Sequence, residues 1–256
     1  MDIGTITCWD DIVGNYRIKQ HLKRMIQELK VSKSPIQQQC VLILGDSRGG
    51  KTSAAQWLVR CLQCTSICPE TLNPACSGTS CRCQSVNSYF GEAGIVSNLA
   101  GDSIQTSVND CMKFATGHEI RDLAKDLAEG ASPALVVLDE VGRMAKNGWD
   151  EILLSTLDIP NLHWLGTAIS ADGLDSAFLN RFTILNTQAT SLKDLCIWTR
   201  LRMRRHAITA DNDETVMKLA AAALSAPGRI INELRRVWMS DARVLTLADV
   251  EEFSAS

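Results

Sequence analysis

Apolar residues at Ile18, Leu22, Met25, Ile26 and Leu29 repeat at i, i+4, i+7, i+8 and i+11, the spacing of one helix face. The next apolar segment has a different pattern. Cys40-Val41-Leu42-Ile43-Leu44 runs without a polar break, as does Ala134-Leu135-Val136-Val137-Leu138. Such runs suit parallel strands buried on both faces. His163-Trp164-Leu165-Gly166-Thr167 and Phe182 to Leu185 predict two more strands, and Cys111-Met112-Lys113-Phe114-Ala115 a short one. Helices are predicted between them: after the first strand, from Gly117-His118 through Ile120, Leu123 and Leu127, over 146–157 before Ile159-Pro160, and over 174–181. Alternating strands and helices argue for a parallel α/β sheet. Residues 84–110 are rich in Ser, Asn and Gly with little periodicity, and read as an irregular insertion. Past about residue 190 the strand pattern stops, and helices are expected over 191–206, 213–224, 227–240 and 247–253. The expected organisation is an α/β domain over 1–190 followed by an all-helical domain over 191–256.

The first apolar run leads into Gly45-Asp46-Ser47-Arg48-Gly49-Gly50-Lys51-Thr52 and then Ser53-Ala54-Ala55-Gln56-Trp57-Leu58-Val59. Strand, glycine-rich turn and helix in that order form a phosphate-binding loop pattern, with Gly45 and Gly50 at its fixed positions. Glycines let backbone N–H groups turn toward an anion, and the helix N-terminus adds partial positive charge. Lys51 is expected to reach the β- and γ-phosphates of ATP, and Thr52 to hold Mg²⁺. Asp139 and Glu140 close the second apolar run, at the strand edge where parallel sheets bind ligands. An Asp there can hold Mg²⁺ and the adjacent Glu can polarise an attacking water.

Two arginines are candidates for charge stabilisation. Arg181 lies in Leu179-Asn180-Arg181-Phe182, at a helix end before a strand, and Arg229 starts a helix in the second domain. A guanidinium can neutralise a transferring phosphoryl group, and a solvated surface arginine is the equally simple alternative.

Composition changes the picture in two places. Of ten cysteines, six fall between residues 61 and 83. The N-terminus carries no secretory pattern, so a reducing, cytoplasmic setting is expected, where a dense cysteine cluster reads first as a metal site. Cys8, Cys40, Cys111 and Cys196 are scattered and read as small buried residues. The net charge of −3 does not advertise nucleic-acid binding, yet a local basic surface can suffice. Arg200, Arg202, Arg204, Arg205 and His206 form one basic segment, with a solvated helix face as the alternative. No apolar run is long enough to span a bilayer.

The order of these parts resembles a family. Trp9-Asp10-Asp11-Ile12-Val13-Gly14, the phosphate loop, Leu138-Asp139-Glu140, Asn180-Arg181-Phe182 and Gly228-Arg229-Ile230-Ile231-Asn232-Glu233-Leu234 together resemble AAA+ ATPases. Within them the chain looks most like bacterial clamp-loader ATPase subunits, DNA polymerase III gamma/tau, with some likeness to the branch-migration motor RuvB. The cysteine segment after the loop helix supports this, as do Gly117 to Leu123 and the stretch from Asp139 to Pro160.

The resemblance implies an AAA+ sheet with a zinc-module insertion over 61–83 and a helical lid. It implies Zn²⁺ on Cys64, Cys76, Cys81 and Cys83; by position alone Cys68 is an alternative for one ligand, and Cys61 lies within the loop helix and reads as packed. It implies Arg181 acting in a neighbour's site within a homo- or hetero-oligomer, and Arg229 sensing the γ-phosphate of its own chain. DNA and a polymerase- or clamp-type protein are the implied partners, and replication or repair the implied setting. The family's polar group at the end of the third strand falls near Ala168 and Ile169, leaving Thr167 as the nearest hydroxyl. A collar domain after the lid is not expected here. The alternative to an ATP-hydrolysing motor is an ATP-binding adapter that recruits a partner with little turnover.

Overall fold

The computed structural model describes residues 6–31, 37–46, 49–76, 81, 83, 94–96, 105–110, 116–129, 133–224 and 226–255. They fall into two compact units, one within 17–46 and 51–187, the other within 1–16, 47–50 and 188–256.

The larger unit is a six-stranded sheet flanked by helices. Its strands are β1 (Cys40–Leu44), β2 (Gly94–Val96), β3 (Gln105–Asp110), β4 (Ala134–Asp139), β5 (Leu162–Ala168) and β6 (Thr183–Asn186), in the order β2-β3-β4-β5-β1-β6. All neighbours are parallel except β2 with β3. The helices are α1 (Tyr16–Ile26), α2 (Lys51–Gln63), α3 (Gly117–Ala128), α4 (Trp149–Leu157) and α5 (Ser176–Leu179). Every residue of β5 is buried, as are Ala134 to Leu138 of β4, which is why these runs carry no polar alternation. Leu42, Val136, Leu138, Trp164 and Phe178 belong to one core that also takes Ile120 and Leu153 from the helices.

Register sets the edge where chemistry can occur. Leu44 pairs with Ala168 and Leu138 with Gly166, so β1, β4 and β5 end together. Gly45, Asp139, Glu140 and Thr167 therefore gather at one edge of the sheet.

Several expectations are corrected. Residues 84–110 are not irregular throughout, because 94–96 and 105–110 are strands, and β3 pairs with β4 over six residues. Gln105-Thr106-Ser107-Val108-Asn109-Asp110 holds one strongly apolar residue, so backbone pairing defines this strand and hydrophobicity does not reveal it. The strand expected at 111–115 lies outside the described residues. The helix expected from 146 starts at Trp149. Two 3₁₀ turns, Val141–Arg143 and Ala145–Asn147, precede it, and Gly148 at φ +65° separates them from α4.

The smaller unit carries α6 (Leu192–Arg205), α7 (Asp213–Ala222), α8 (Gly228–Met239) and α9 (Leu247–Ala255). It is not wholly helical, since β7 (Thr209–Ala210) and β8 (Val244–Leu245) pair in parallel. Leu195, Leu219, Ile230, Leu234, Leu245 and Phe253 share its core. The N-terminal segment joins this unit through Asp11, whose carbonyl accepts from Trp198 Nε1 at 2.8 Å. The Asp11 carboxylate faces Arg202 at 3.6 Å and bonds Arg205. Burial opposes its charge, but the Arg202 guanidinium and the Thr7 bonds, with Arg205, hold Asp11 below the usual carboxylate range.

Candidate functional site

The turn after β1 requires glycine at its first position. Gly45 has φ +148°, and a Cβ there would lie 1.7 Å from Thr187 Oγ1. Its N–H donates to the carbonyls of Ala168 and Ile169, each at 3.2 Å, which ties the turn to the end of β5. Gly50 has φ +82°. Ser47 and Arg48, expected in the phosphate-binding set, lie outside the described residues. In the smaller unit Asn15 braces the loop: its Nδ2 donates to Gly49 O at 2.8 Å and its Oδ1 accepts from Gln188 N–H at 3.0 Å. Sequence reasoning missed Asn15. The signal was its place beside Gly14, because Asn tolerates the positive φ of 51° found there.

Lys51 is buried, and its Nζ donates to the carbonyls of Gly45 at 2.6 Å and Asp46 at 2.8 Å. Burial pushes its ammonium down, and the Glu140, Asp139 and Asp46 carboxylates partly restore it. Those two carbonyl bonds hold the cation over the loop. Thr52 Oγ1 lies 3.2 Å from both carboxylate oxygens of Asp139. A hydroxyl and a carboxylate side by side are the hard oxygen donors that Mg²⁺ takes, so this pair fits that ion.

Thr167 sits beneath the pair. Its Oγ1 donates to Asp139 Oδ1 and accepts from the Glu140 N–H at 3.3 Å. A fully buried hydroxyl thus aims one carboxylate and fixes the backbone of the next. Glu140 leaves the strand at φ +61°, a left-handed conformation that costs an L residue about 1–2 kcal/mol. Its carboxylate lies 3.7 Å from Arg143 Nε. Thr167, the hydroxyl nearest to Ala168 and Ile169, is therefore bonded to both acidic residues.

Arg181 is not part of this cluster. Arg181 precedes β6, at the opposite end of the parallel strands from the phosphate loop. Asp175 caps α5 by accepting from the N–H groups of Ala177 at 2.7 Å and Phe178 at 3.1 Å, which sets the turn that carries Arg181. Arg181 Nε and Nη2 donate to Asp158 Oδ1 and Oδ2, each at 2.9 Å. Arg229 belongs to the smaller unit, where Nη2 donates to Phe253 O at 3.0 Å and the guanidinium stands 4.4 Å from the Phe253 ring centre.

The sulfur atoms of Cys64, Cys76, Cys81 and Cys83 all lie within 4.8 Å of one another, and those of Cys76 and Cys83 are 3.3 Å apart. Four thiolates at about 2.3 Å from a common Zn²⁺ would stand roughly 3.8 Å apart, so the donor set fits tetrahedral zinc. Cys68 is outside the cluster, and Cys61 donates instead to Leu72 O at 3.4 Å. Burial works against the Cys81 thiolate, yet the N–H groups of Thr65 and Cys83 bring that thiol down to about 6. Lys30 Nζ donates to Leu62 O at 2.5 Å and to Cys64 O, placing a cation beside the sulfurs.

The basic segment divides. Arg202 is buried against Asp11, Arg205 also bonds Asp11, and Arg200 pairs with Asp213 at 3.1 Å. Among the described residues no helix is long and apolar enough to cross a membrane.

No protein-family model matches the chain, and no curated protein does. Solved structures do. The Holliday junction branch migration motor RuvB of Thermotoga maritima is similar over 99% of this chain and 73% of its own, at 15% identity and a TM-score of 0.65. A structure titled for katanin self-assembly is similar over 100% of this chain and 87% of its own, at 13% identity and a TM-score of 0.61. The chain shares the fold of these structures: an α/β sheet, parallel except for β2 with β3, with a glycine turn at the C-terminal end of β1.

Proposed function

We propose that the chain is a Mg²⁺-dependent ATPase module acting in DNA metabolism. The observation that carries this is one cluster at the ends of three parallel strands. There Lys51 lies over the phosphate loop, Thr52 lies 3.2 Å from Asp139, and Thr167 ties Asp139 to the Glu140 backbone. Lys51 balances phosphate charge. Thr52 and Asp139 hold Mg²⁺, which supplies neutralisation of the transferring phosphoryl group. Glu140 orients and deprotonates the attacking water. Arg181, at the other edge, completes a neighbour's site in an oligomer, and Arg229 responds to nucleotide in its own chain. The DNA setting draws on the fold shared with the branch-migration motor.

The finer reading is a clamp-loader-like module that works in replication or repair with a polymerase- or clamp-type protein. The cysteine cluster, placed directly after the loop helix, favours it. A Zn²⁺ on Cys64, Cys76, Cys81 and Cys83 would be structural, because four thiolates leave no open position.

Phosphate release from ATP, measured with and without single- and double-stranded DNA, tests the proposal. Hydrolysis that needs Mg²⁺ and changes with DNA supports it. Tight ATP binding without turnover under every condition would replace it with the adapter reading.

A further inference from the structure

The end of α6 carries a feature that ATP hydrolysis does not use. A cavity of about 490 Å³ in the smaller unit is lined by Thr7, Arg202, Arg205, His206, Trp238 and Arg243. Its size falls in the roughly 300–1,000 Å³ range of small-ligand sites. Three guanidiniums border it, and the single Asp11 carboxylate serves two of them, Arg202 and Arg205. Arg243 is exposed and pairs with no carboxylate among the described residues. Its guanidinium stands 5.9 Å from the centre of the Trp238 ring, and the His206 ring meets Trp238 edge-on at 6.1 Å. Among the described residues the lining therefore offers at least one fork-shaped donor, Arg243, that no carboxylate occupies, next to a large aromatic ring.

We propose that this cavity binds a nucleotide unit, its phosphate on Arg243 and Arg205 and its base against Trp238. Guanidinium forks match phosphate oxygens in pairs, and aromatic rings beside basic grooves are how proteins hold unpaired bases. An acidic peptide would use the arginines but has no use for the indole. The phosphate and base can come from a free mononucleotide or from a single strand. The choice of a DNA probe rests on the proposed role in DNA metabolism. The site itself shares no residue with the phosphate loop.

The test is fluorescence anisotropy of a labelled twenty-nucleotide oligo(dT) with the full chain, without ATP. Arg243→Ala should weaken binding about tenfold and lower the salt slope by about 0.7, the loss of one phosphate contact on a single strand. Arg243→Glu should weaken it further. Trp238→Phe should keep most of the affinity that Trp238→Ala loses. Lys51→Ala should bind oligo(dT) as the unaltered chain does, which separates this site from the ATPase reading. AMP that displaces the probe from Lys51→Ala identifies free nucleotide as the source, and AMP that fails to do so identifies the strand. Unchanged affinity and salt slope in a folded Arg243→Glu chain would overturn the assignment. So would displacement by a glutamate-rich peptide as effective as by unlabelled oligo(dT).

Discussion

Arg181 grips Asp158 through two parallel bonds of 2.9 Å, at the sheet edge away from the phosphate loop. In this arrangement the guanidinium is kept in place and cannot serve its own chain's Asp139–Thr52 pair. If it completes a neighbour's site, mixing two inactive variants should restore activity. Arg181→Ala supplies an intact phosphate loop, and Lys51→Ala supplies the missing guanidinium. Arg181→Ala alone should lose about 10³-fold or more in turnover, the usual worth of such an arginine. Phosphate release from the mixture should recover well above either variant. If Arg229 responds to the nucleotide of its own chain, as proposed, Arg229→Ala mixed with Lys51→Ala should not recover, because each variant would then be defective in its own site. Full activity of a strictly monomeric chain would contradict the assignment.

Thr167 offers a quieter test. Thr167→Val keeps the shape and removes the hydroxyl that bonds Asp139 and receives the Glu140 N–H. Nucleotide affinity should change little, whereas turnover should fall about 10–100-fold as both acidic residues lose their aim. Equal loss of binding and turnover would assign Thr167 to folding alone.

How much of this was legible beforehand varies by residue. β1, β4 and β5 are buried on both faces, so their apolar runs announced them. The turn after β1 was legible because the backbone requires a glycine at Gly45, where a side chain would collide with Thr187. β3 was not, since it is specified by its ladder to β4 and carries polar residues. Asn15 was hidden too, because its partners Gly49 and Gln188 are far away along the chain. The basic segment was legible only in part. Both a basic surface and a solvated face were open for it; Arg204 and Arg205 are exposed, yet Arg202 turns inward to a buried Asp11.

His163 predicts a specific acid sensitivity. It is buried, its Nδ1 accepts from the Gln39 N–H at 3.0 Å, and burial pushes its imidazole down to about 4. In the unfolded chain the same group titrates near 6.5. Between those values the unfolded state holds the extra proton, so the contribution is present above pH ~6.5 and is lost as the pH falls toward 4. The full loss is on the order of 3 kcal/mol. Urea unfolding from pH 7.5 to 5 should show this decline, and His163→Asn should flatten it. An identical decline in the variant would place the sensitivity elsewhere.

The cysteine cluster predicts a metal count. Protein purified under reducing conditions should contain about one Zn²⁺ per chain, as a single four-thiolate site requires. Cys83→Ser should lower that count and the melting temperature, whereas Cys68→Ser should leave both unchanged. A folded, active preparation free of metal would exclude the site.

The central claim, that this sheet edge hydrolyses ATP, is tested most directly by measuring nucleotide affinity and turnover in the same two variants. Lys51→Ala removes the cation held over the loop, and Glu140→Gln removes only the base. Lys51→Ala should lose ATP binding. Glu140→Gln should bind ATP as tightly as the unaltered chain and turn it over about 10²–10⁴-fold more slowly. Glu140→Gln hydrolysing at the original rate, or both variants losing affinity equally, would contradict the account.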